Sequence, residues 1–355
     1  ETQDAQLLAL LGTAYIQTGE NSKGAEYIER AVELDPDQAL LRTQLAVCKI
    51  ATGDTASAIS QLESAVALGQ DVVQADVLLV LSYLNKKEFE KAIAASEALE
   101  QRMTDSPIPY NLTGLALLAQ RQYAAAAERF HLALEKDPQF VVAQMNLARL
   151  ELAQRKPEAA AQAFRKVLEM NPKHLGAMMG LSALARAQGD MAEAESWLQQ
   201  ANQANPQALQ PILALAEMHL RRNESLKASN VLSGLTPKQA DLPAVLRLKG
   251  MAQLQSGDYA SATHTLRKLT EIQPGSIEGW FQLARAQAAA GDRTASRSSF
   301  ERAIELDQGH KVHQRHCHAG AAEQDRRRQP DCDSGVRQAV TRFLRECCTN
   351  GRGGP

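Results

Sequence analysis

From Ala5 to His310 the chain repeats itself every 34 residues, nine times over, without insertion or deletion. With Ala5 as position 1, position 8 reads Gly12, Ala46, Val80, Gly114, Ala148, Ser182, Ala216, Gly250 and Ala284. Position 20 reads Gly24, Ala58, Ala92, Ala126, Ala160, Ala194, Ala228, Ala262 and Ser296. Position 32 is proline in five repeats: Pro36, Pro138, Pro172, Pro206 and Pro274. A piece this short cannot bury its apolar face alone, so a fixed period forces successive copies to stack on their neighbours. The 355 residues are too many for one compact core, whereas a stack grows without that limit.

Each repeat holds two apolar stripes at helical spacing with a polar break near position 15. In the fourth repeat Tyr110, Leu112, Leu115, Ala116 and Leu118 mark a first helix, and Ala124, Ala127, Phe130, His131 and Leu134 mark a second. The small residues at positions 8 and 20 let the two helices approach closely; larger ones would overpack the hairpin. Gly19, Gly53, Gly189, Gly257 and Gly291 stand at position 15, where the first helix must end in a left-handed cap. Asp54, Asp190, Asp258 and Asp292 follow four of them and can cap the second helix. The prolines at position 32 of five repeats lie where the next helix begins, since proline cannot continue the previous one. Eighteen helices and no strand are expected over residues 5–310, in keeping with an aromatic content of only 4%.

These residues resemble the tetratricopeptide repeat: an aromatic or apolar residue at position 4, Leu-Gly or its substitutes at 7 and 8, Ala at 20 and 27, Pro at 32. Trp280, Leu283, Ala284, Gly291, Phe300 and Ala303 carry the pattern in the ninth repeat. Tyr110, Gly114, Tyr123, Ala126, Phe130, Ala133 and Pro138 carry it in the fourth. The implied fold is all-α: an α-α superhelix (solenoid) of nine 34-residue TPR helix-turn-helix repeats over residues 1–310, starting at 5, 39, 73, 107, 141, 175, 209, 243 and 277.

At residue 311 the pattern stops. The stretch 311–355 holds Cys317, Cys332, Cys347 and Cys348, lies beside or contains His310, His313, His316 and His318, and carries nine Lys/Arg against five Asp/Glu. Zinc would suit clustered imidazole and thiolate, but no paired Cys-x-x-Cys half-site exists. Arg326-Arg327-Arg328 is a basic run without interleaved aromatics, short of a nucleic-acid site. A His/Cys/Arg/Gly-rich burst beginning where a repeat should begin reads best as a disordered or out-of-frame tail. It carries no functional signal.

Catalytic constellations are absent from the sequence: no phosphate-cradling Gly-rich loop, no metalloprotease helix, no nucleophile elbow. His131, His174, His219 and His264 fall at four different repeat positions, so they are expected as separate surface or half-buried residues. Cys48, amid Leu45, Val47 and Ile50, reads as small core packing. Neither an enzyme nor a cofactor, metal, nucleic acid or small-molecule substrate is expected. The expected function is a protein or peptide partner held in the concave groove that the first helices of this fold line. Positions 2, 5, 9, 12 and 13 point there, and across repeats two to five they supply an apolar strip: Val47, Val77, Leu81, Ile108, Leu115 and Met145, flanked by Leu40, Ile50, Leu84, Leu118, Val142 and Leu152. Further along, Met179, Arg186, Glu217, Arg221, Arg247, Met251, Phe281 and Arg285 make the groove mixed.

A narrower resemblance runs through repeats three to six. Asp76-Val77-Leu78-Leu79-Val80-Leu81, Glu88-Phe89-Glu90-Lys91-Ala92, Pro107-Ile108-Pro109-Tyr110-Asn111-Leu112-Thr113-Gly114, Phe140-Val141-Val142-Ala143-Gln144-Met145-Asn146 and Lys156-Pro157-Glu158-Ala159 are similar to the PEP-CTERM system tetratricopeptide-repeat lipoproteins. This implies an array in the envelope of Gram-negative bacteria that make exopolysaccharide and sort proteins by a C-terminal signal, lipid-anchored through a cysteine outside this chain. The chain starts at Glu1 inside the first repeat and reads as a processed or truncated piece. The alternatives are a cytoplasmic TPR adaptor or regulator, or the repeat region of a larger enzyme such as a glycosyltransferase. A signal peptide and lipidation cysteine encoded upstream would decide for the envelope.

Overall fold

The computed structural model describes residues 4–69 and 72–320, with residues 309–320 described by their backbone. Two compact units make up the chain, Glu1–Ala194 and Glu195–Pro355. In the first, α1 (Ala5–Gln17) precedes α2 (Asn21–Leu34), α3 (Ala39–Ala51) precedes α4 (Thr55–Ala67), and α5 (Val73–Asn85) precedes α6 (Phe89–Arg102). Next come α7 (Pro107–Ala119), α8 (Tyr123–Lys136), α9 (Val141–Ala153), α10 (Pro157–Met170) and α11 (Leu175–Ala187), before α12 (Met191–Ala204) crosses the boundary. The second unit continues with α13 (Leu209–Arg221), α14 (Ser225–Ser233), α15 (Pro237–Ala240), α16 (Pro243–Ser256), α17 (Tyr259–Ile272), α18 (Ile277–Ala289) and α19 (Arg293–Gly320). Among the described residues there is no strand. The fold is an all-α solenoid in which every first helix begins at position 1 of its repeat and every second helix at position 17.

The hairpins close where the small residues are. A Cβ added to Gly12 would lie 2.8 Å from the Gly24 carbonyl oxygen, and one added to Gly24 would lie 2.8 Å from that of Gly12. Where serine replaces glycine or alanine, its hydroxyl crosses the same gap. Ser182 Oγ donates to the Ala194 carbonyl at 2.9 Å, and Ser296 Oγ donates to the Ala284 carbonyl at 2.9 Å. Positions 8 and 20 therefore touch backbone to backbone. Around them the stripes form the core: Ala126, Phe130 and Ala133 are the buried residues of α8, and its remaining side chains are exposed or half-buried.

Position 15 is left-handed throughout, with φ from +83° to +88° at Gly19, Gly53, Gly189, Gly257 and Gly291. The same conformation is imposed on Lys87 (62°), Arg121 (62°), Arg155 (59°) and Asn223 (59°), where the sequence offers no glycine. Each of these residues sends its N–H to a carbonyl in the last turn of the first helix, as Arg121 does to Leu118 at 3.0 Å, so the stack dictates the turn. A side chain in this region costs roughly 1–2 kcal/mol that glycine does not incur. Arg121→Gly, at an exposed site, is therefore expected to raise stability by about 1 kcal/mol in urea unfolding. An unchanged or lower midpoint would show that the strain is relieved elsewhere. The aspartates that follow the glycines cap as expected: Asp54, Asp190, Asp258 and Asp292 accept from the backbone N–H of Ser57, Glu193, Ser261 and Ala295 at 2.8–3.1 Å.

The seventh repeat departs from the expected eighteen full helices. Its second helix stops at Ser233, and the extra turn α15 follows before α16. Gly234 ends α14, and Thr236 then starts a new turn through a capping box with Gln239, ahead of Pro237 at its first position. At the far end α19 runs to Gly320, past the expected end of the array at 310; the span 310–319 holds neither Gly nor Pro to stop it. The rest of the irregular tail, and the side chains of His310, His313, His316, Cys317 and His318, lie outside the described residues.

Candidate functional site

Helix geometry puts positions 2, 5 and 9 of each first helix on one face, and in the first compact unit this face carries the apolar strip. Val47 and Leu81, both at position 9, are 37% and 43% exposed. Leu40, Ile50, Val142 and Leu152 are exposed as well. Val77, Ile108, Leu115 and Met145 are half-buried. Val77, Ile108 and Leu115 rest on a core cluster that includes Leu79, Val80, Leu112 and Ala116. Leu115 also meets the cluster of Phe130, Leu147 and Leu150. Met145 reaches the next repeat: its Cε is 3.5 Å from where a Cβ on Gly176 would stand. All six strip residues thus keep accessible surface.

Two features were invisible to a reading by apolar character. Thr43 occupies position 5 between Leu40 and Val47, yet it is 1% exposed, its hydroxyl turned back to the Ala39 carbonyl at 2.7 Å. A polar link also crosses from repeat four to repeat five. Asn146 Nδ2 donates to Asn111 Oδ1 at 2.8 Å, and Arg149 Nη1 donates to Asn146 Oδ1 at 3.2 Å. Both asparagines are buried and Arg149 is exposed. The position rule itself names Asn111 and Arg149; selecting only aliphatic residues passed them over.

In the second unit the face is mixed. Met251, Leu254, Gln255, Tyr259, Gln282 and Arg285 line a cleft of about 420 Å³. Arg247 Nη1 lies 3.6 Å from Met251 Sδ, and Arg285 Nη1 donates to Gln282 Oε1 at 3.0 Å. Arg221 pairs with Glu217 at 3.3 Å, so the Arg-rich end is partly self-neutralised.

His219 corrects the expectation of surface histidines. It is 3% exposed, with Nδ1 donating to Glu224 Oε2 at 2.7 Å and Nε2 at 3.8 Å from Glu195 Oε1. That bond, then the one from Lys227, holds the Glu224 carboxyl below the usual carboxylate range. Glu195 is also paired with Arg222 at 2.6 Å. The imidazole therefore ties α12, α13 and α14 together through fully partnered carboxylates, a structural use. His174, half-buried, accepts from the Ala177 N–H at 3.1 Å and caps α11. Cys48 is 0% exposed and donates to the Gln44 carbonyl at 3.1 Å; burial pushes its thiol up, away from the reactive thiolate. Among the described residues no group of three His, Cys, Asp or Glu could hold a metal ion, and no helix is long and apolar enough to cross a membrane.

Comparison with known proteins bears on the repeat directly. A family model described as tetratricopeptide repeat matches residues 49–106, 111–166, 145–208 and 247–311. Two further models of the same description match 185–252 and 5–38. No curated protein matches the sequence. Among solved structures, MamA (41-end) from Desulfovibrio magneticus RS-1 is 19% identical with a TM-score of 0.42, over 48% of this chain and 96% of that one. PilF of Pseudomonas aeruginosa is 20% identical with a TM-score of 0.44, over 60% and 97%. YrrB, described as a TPR protein with an unusual peptide-binding site, is 19% identical with a TM-score of 0.44, over 52% and 96%. The repeat models alone account for most of the chain, and the helix starts and position-15 turns recur at the same positions of every repeat; this chain belongs to the tetratricopeptide-repeat family.

Proposed function

We propose that this chain is a non-catalytic scaffold that takes a protein or peptide segment along the first-helix face of repeats two to five, and that it serves in the bacterial envelope beside exopolysaccharide and C-terminal-signal protein sorting. The observation that carries the binding reading is the strip itself. Val47, Leu81, Leu40, Ile50, Val142 and Leu152 stay open to solvent on the first helices α3, α5 and α9. Apolar patches maintained in this way mark interaction surfaces. An amphipathic helix or an extended apolar segment fits them, with main-chain polar groups meeting Arg149 at the edge. The envelope placement is supported by the sequence likeness of repeats three to six to lipoproteins of that system, with the anchor supplied from outside this chain.

The test is an immobilised library of short peptides probed with the full chain. Selected peptides should share apolar residues at i, i+3, i+4 spacing or in alternation, and should lose capture when Val47 and Leu81 both become aspartate. Selection of acidic or basic peptides, indifferent to those two changes, would move the site to the Arg-bearing face of the second unit.

A further inference from the structure

The turns of repeats three, four and five give up two stabilising devices that their neighbours keep. In the first unit, positions 15 and 16 read Gly-Asp in repeats two and six, as Gly53-Asp54 and Gly189-Asp190. There glycine takes the left-handed conformation freely, and the aspartate caps the second helix. Repeats three to five read Lys87-Glu88, Arg121-Gln122 and Arg155-Lys156. The three cations hold φ of 62°, 62° and 59°, and none of the residues after them caps its helix through its side chain. Backbone strain that persists where glycine would remove it implies a use for the side chain. A cation gains something at the carboxyl end of a first helix, but that gain is open to every repeat and does not select three in a row.

What the three share is charge at the tip of the turn. Lys87, Arg121 and Arg155 are exposed, and among the described residues their side chains have no hydrogen bond or ion pair. Lys86 and Lys156 stand exposed beside them, the first within Coulombic reach of Asp54 and Glu88, the second 3.8 Å from Glu151. Over positions 13–19 the three repeats carry six Lys/Arg against three Asp/Glu, whereas repeats two and six carry three Asp/Glu and no Lys/Arg. First helices of consecutive repeats touch, α5 with α7 and α7 with α9, so neighbouring turns lie about 8–10 Å apart. The result is a cationic edge about 20 Å long, closed at each end by an acidic turn.

We propose that this edge binds an acidic polypeptide segment, an extended run of about six to eight residues rich in Asp and Glu, at roughly 3.3 Å per residue. Arg121 and Arg155 offer planar forks to its carboxylates, and Lys86, Lys87 and Lys156 offer point charges. The finite length selects this occupant. A long polyanion or an anionic lipid surface would have to run on past Asp54 and Asp190, against like charge. No large apolar side chain of the three turns is exposed to enter a membrane. The proposal rests on these turns alone and is independent of the groove.

The probe is fluorescein-labelled octaglutamate, titrated into the full chain by fluorescence anisotropy at about 0.05 M salt, where screening is weak. Saturable binding is expected, weakened by about tenfold or more at about 0.5 M salt. The chain with Lys87→Gly, Arg121→Gly and Arg155→Gly together should unfold at higher urea than the parent, yet bind octaglutamate more weakly by about tenfold or more. A purely structural role would move stability alone. No saturation up to about 1 mM overturns the proposal. So does equal affinity for the glycine variant, which keeps Arg247, Arg285 and Arg326-Arg327-Arg328 and would hand the acidic run to one of them. A lowered urea midpoint in that variant overturns it too, by tracing the lost binding to folding. Capture by phosphatidylglycerol vesicles that the same changes abolish, with octaglutamate left unbound, would give the edge to a lipid surface instead.

Discussion

Phe130→Ala should destabilise the chain by about 3–5 kcal/mol, the range for removing a large aromatic from a packed core. Phe130 is 0% exposed and stands at position 24 of the fourth repeat. Its ring fills the space above Gly114: a Cβ there would come within 2.5 Å of Cε1 and 2.7 Å of Cδ1. On its other side lie Leu147 and Leu150 of α9, so the one ring joins its own hairpin to the next. In a stack stabilised by nearest-neighbour interfaces, loss at such a point weakens both the repeat and its coupling. The backbone cannot collapse into the hole, because position 8 of α7 is already a glycine in close approach. Glu128→Ala, exposed on the same helix, should stay within about 0.5 kcal/mol. Urea unfolding of the two variants decides. Equal midpoints would mean that the second-helix stripe is misassigned by a residue; a lowered slope with Phe130→Ala would show that the two flanking segments no longer unfold together.

How much of this was legible before the structure depends on which residues carry the signal. The helix starts follow from the period because positions 8 and 20 must meet, and Gly12 and Gly24 announce that meeting by their size. The left-handed turn was legible only where glycine marks it. At Lys87, Arg121 and Arg155 the stack imposes a conformation that the local sequence resists, an instance of tertiary structure overriding propensity. The break at Gly234 and Thr236-Pro237 has ordinary local signals, but the uniform register outweighed them. His219 could not be read as buried, because its partners Glu224 and Glu195 are ordinary surface letters until α12, α13 and α14 fold beside one another. On the first-helix face, the position rule locates the residues while leaving rotamers open: Thr43 turns down to its own helix, and Asn111 turns to Asn146.

Val47→Asp with Leu81→Asp should reduce affinity for an apolar peptide partner by about a hundredfold while leaving stability nearly unchanged. The structure favours this pair over one that includes Leu115. Val47 and Leu81 are exposed at the same position of adjacent repeats, whereas half-buried Leu115 rests on two core clusters, so a charge there would disturb folding as well as binding. Burying an aliphatic side chain contributes about 1.5–3 kcal/mol. Val47 and Leu81 have 37% and 43% of their surface left to cover, so losing both contacts removes about 1–2 kcal/mol, and about 1.4 kcal/mol corresponds to each factor of ten. Each aspartate would in addition have to lose its hydration against an apolar surface. Salt separates this mechanism from a charge clamp. Coulombic attraction between exposed groups is screened within about 8–10 Å at physiological ionic strength, whereas apolar burial is not. Affinity for a peptide found in the library should therefore hold nearly constant as salt rises from about 0.05 to 0.5 M. A steep loss over that range, with the aspartate pair binding as well as the parent chain, would assign recognition to Arg247 and Arg285 in the mixed half of the array.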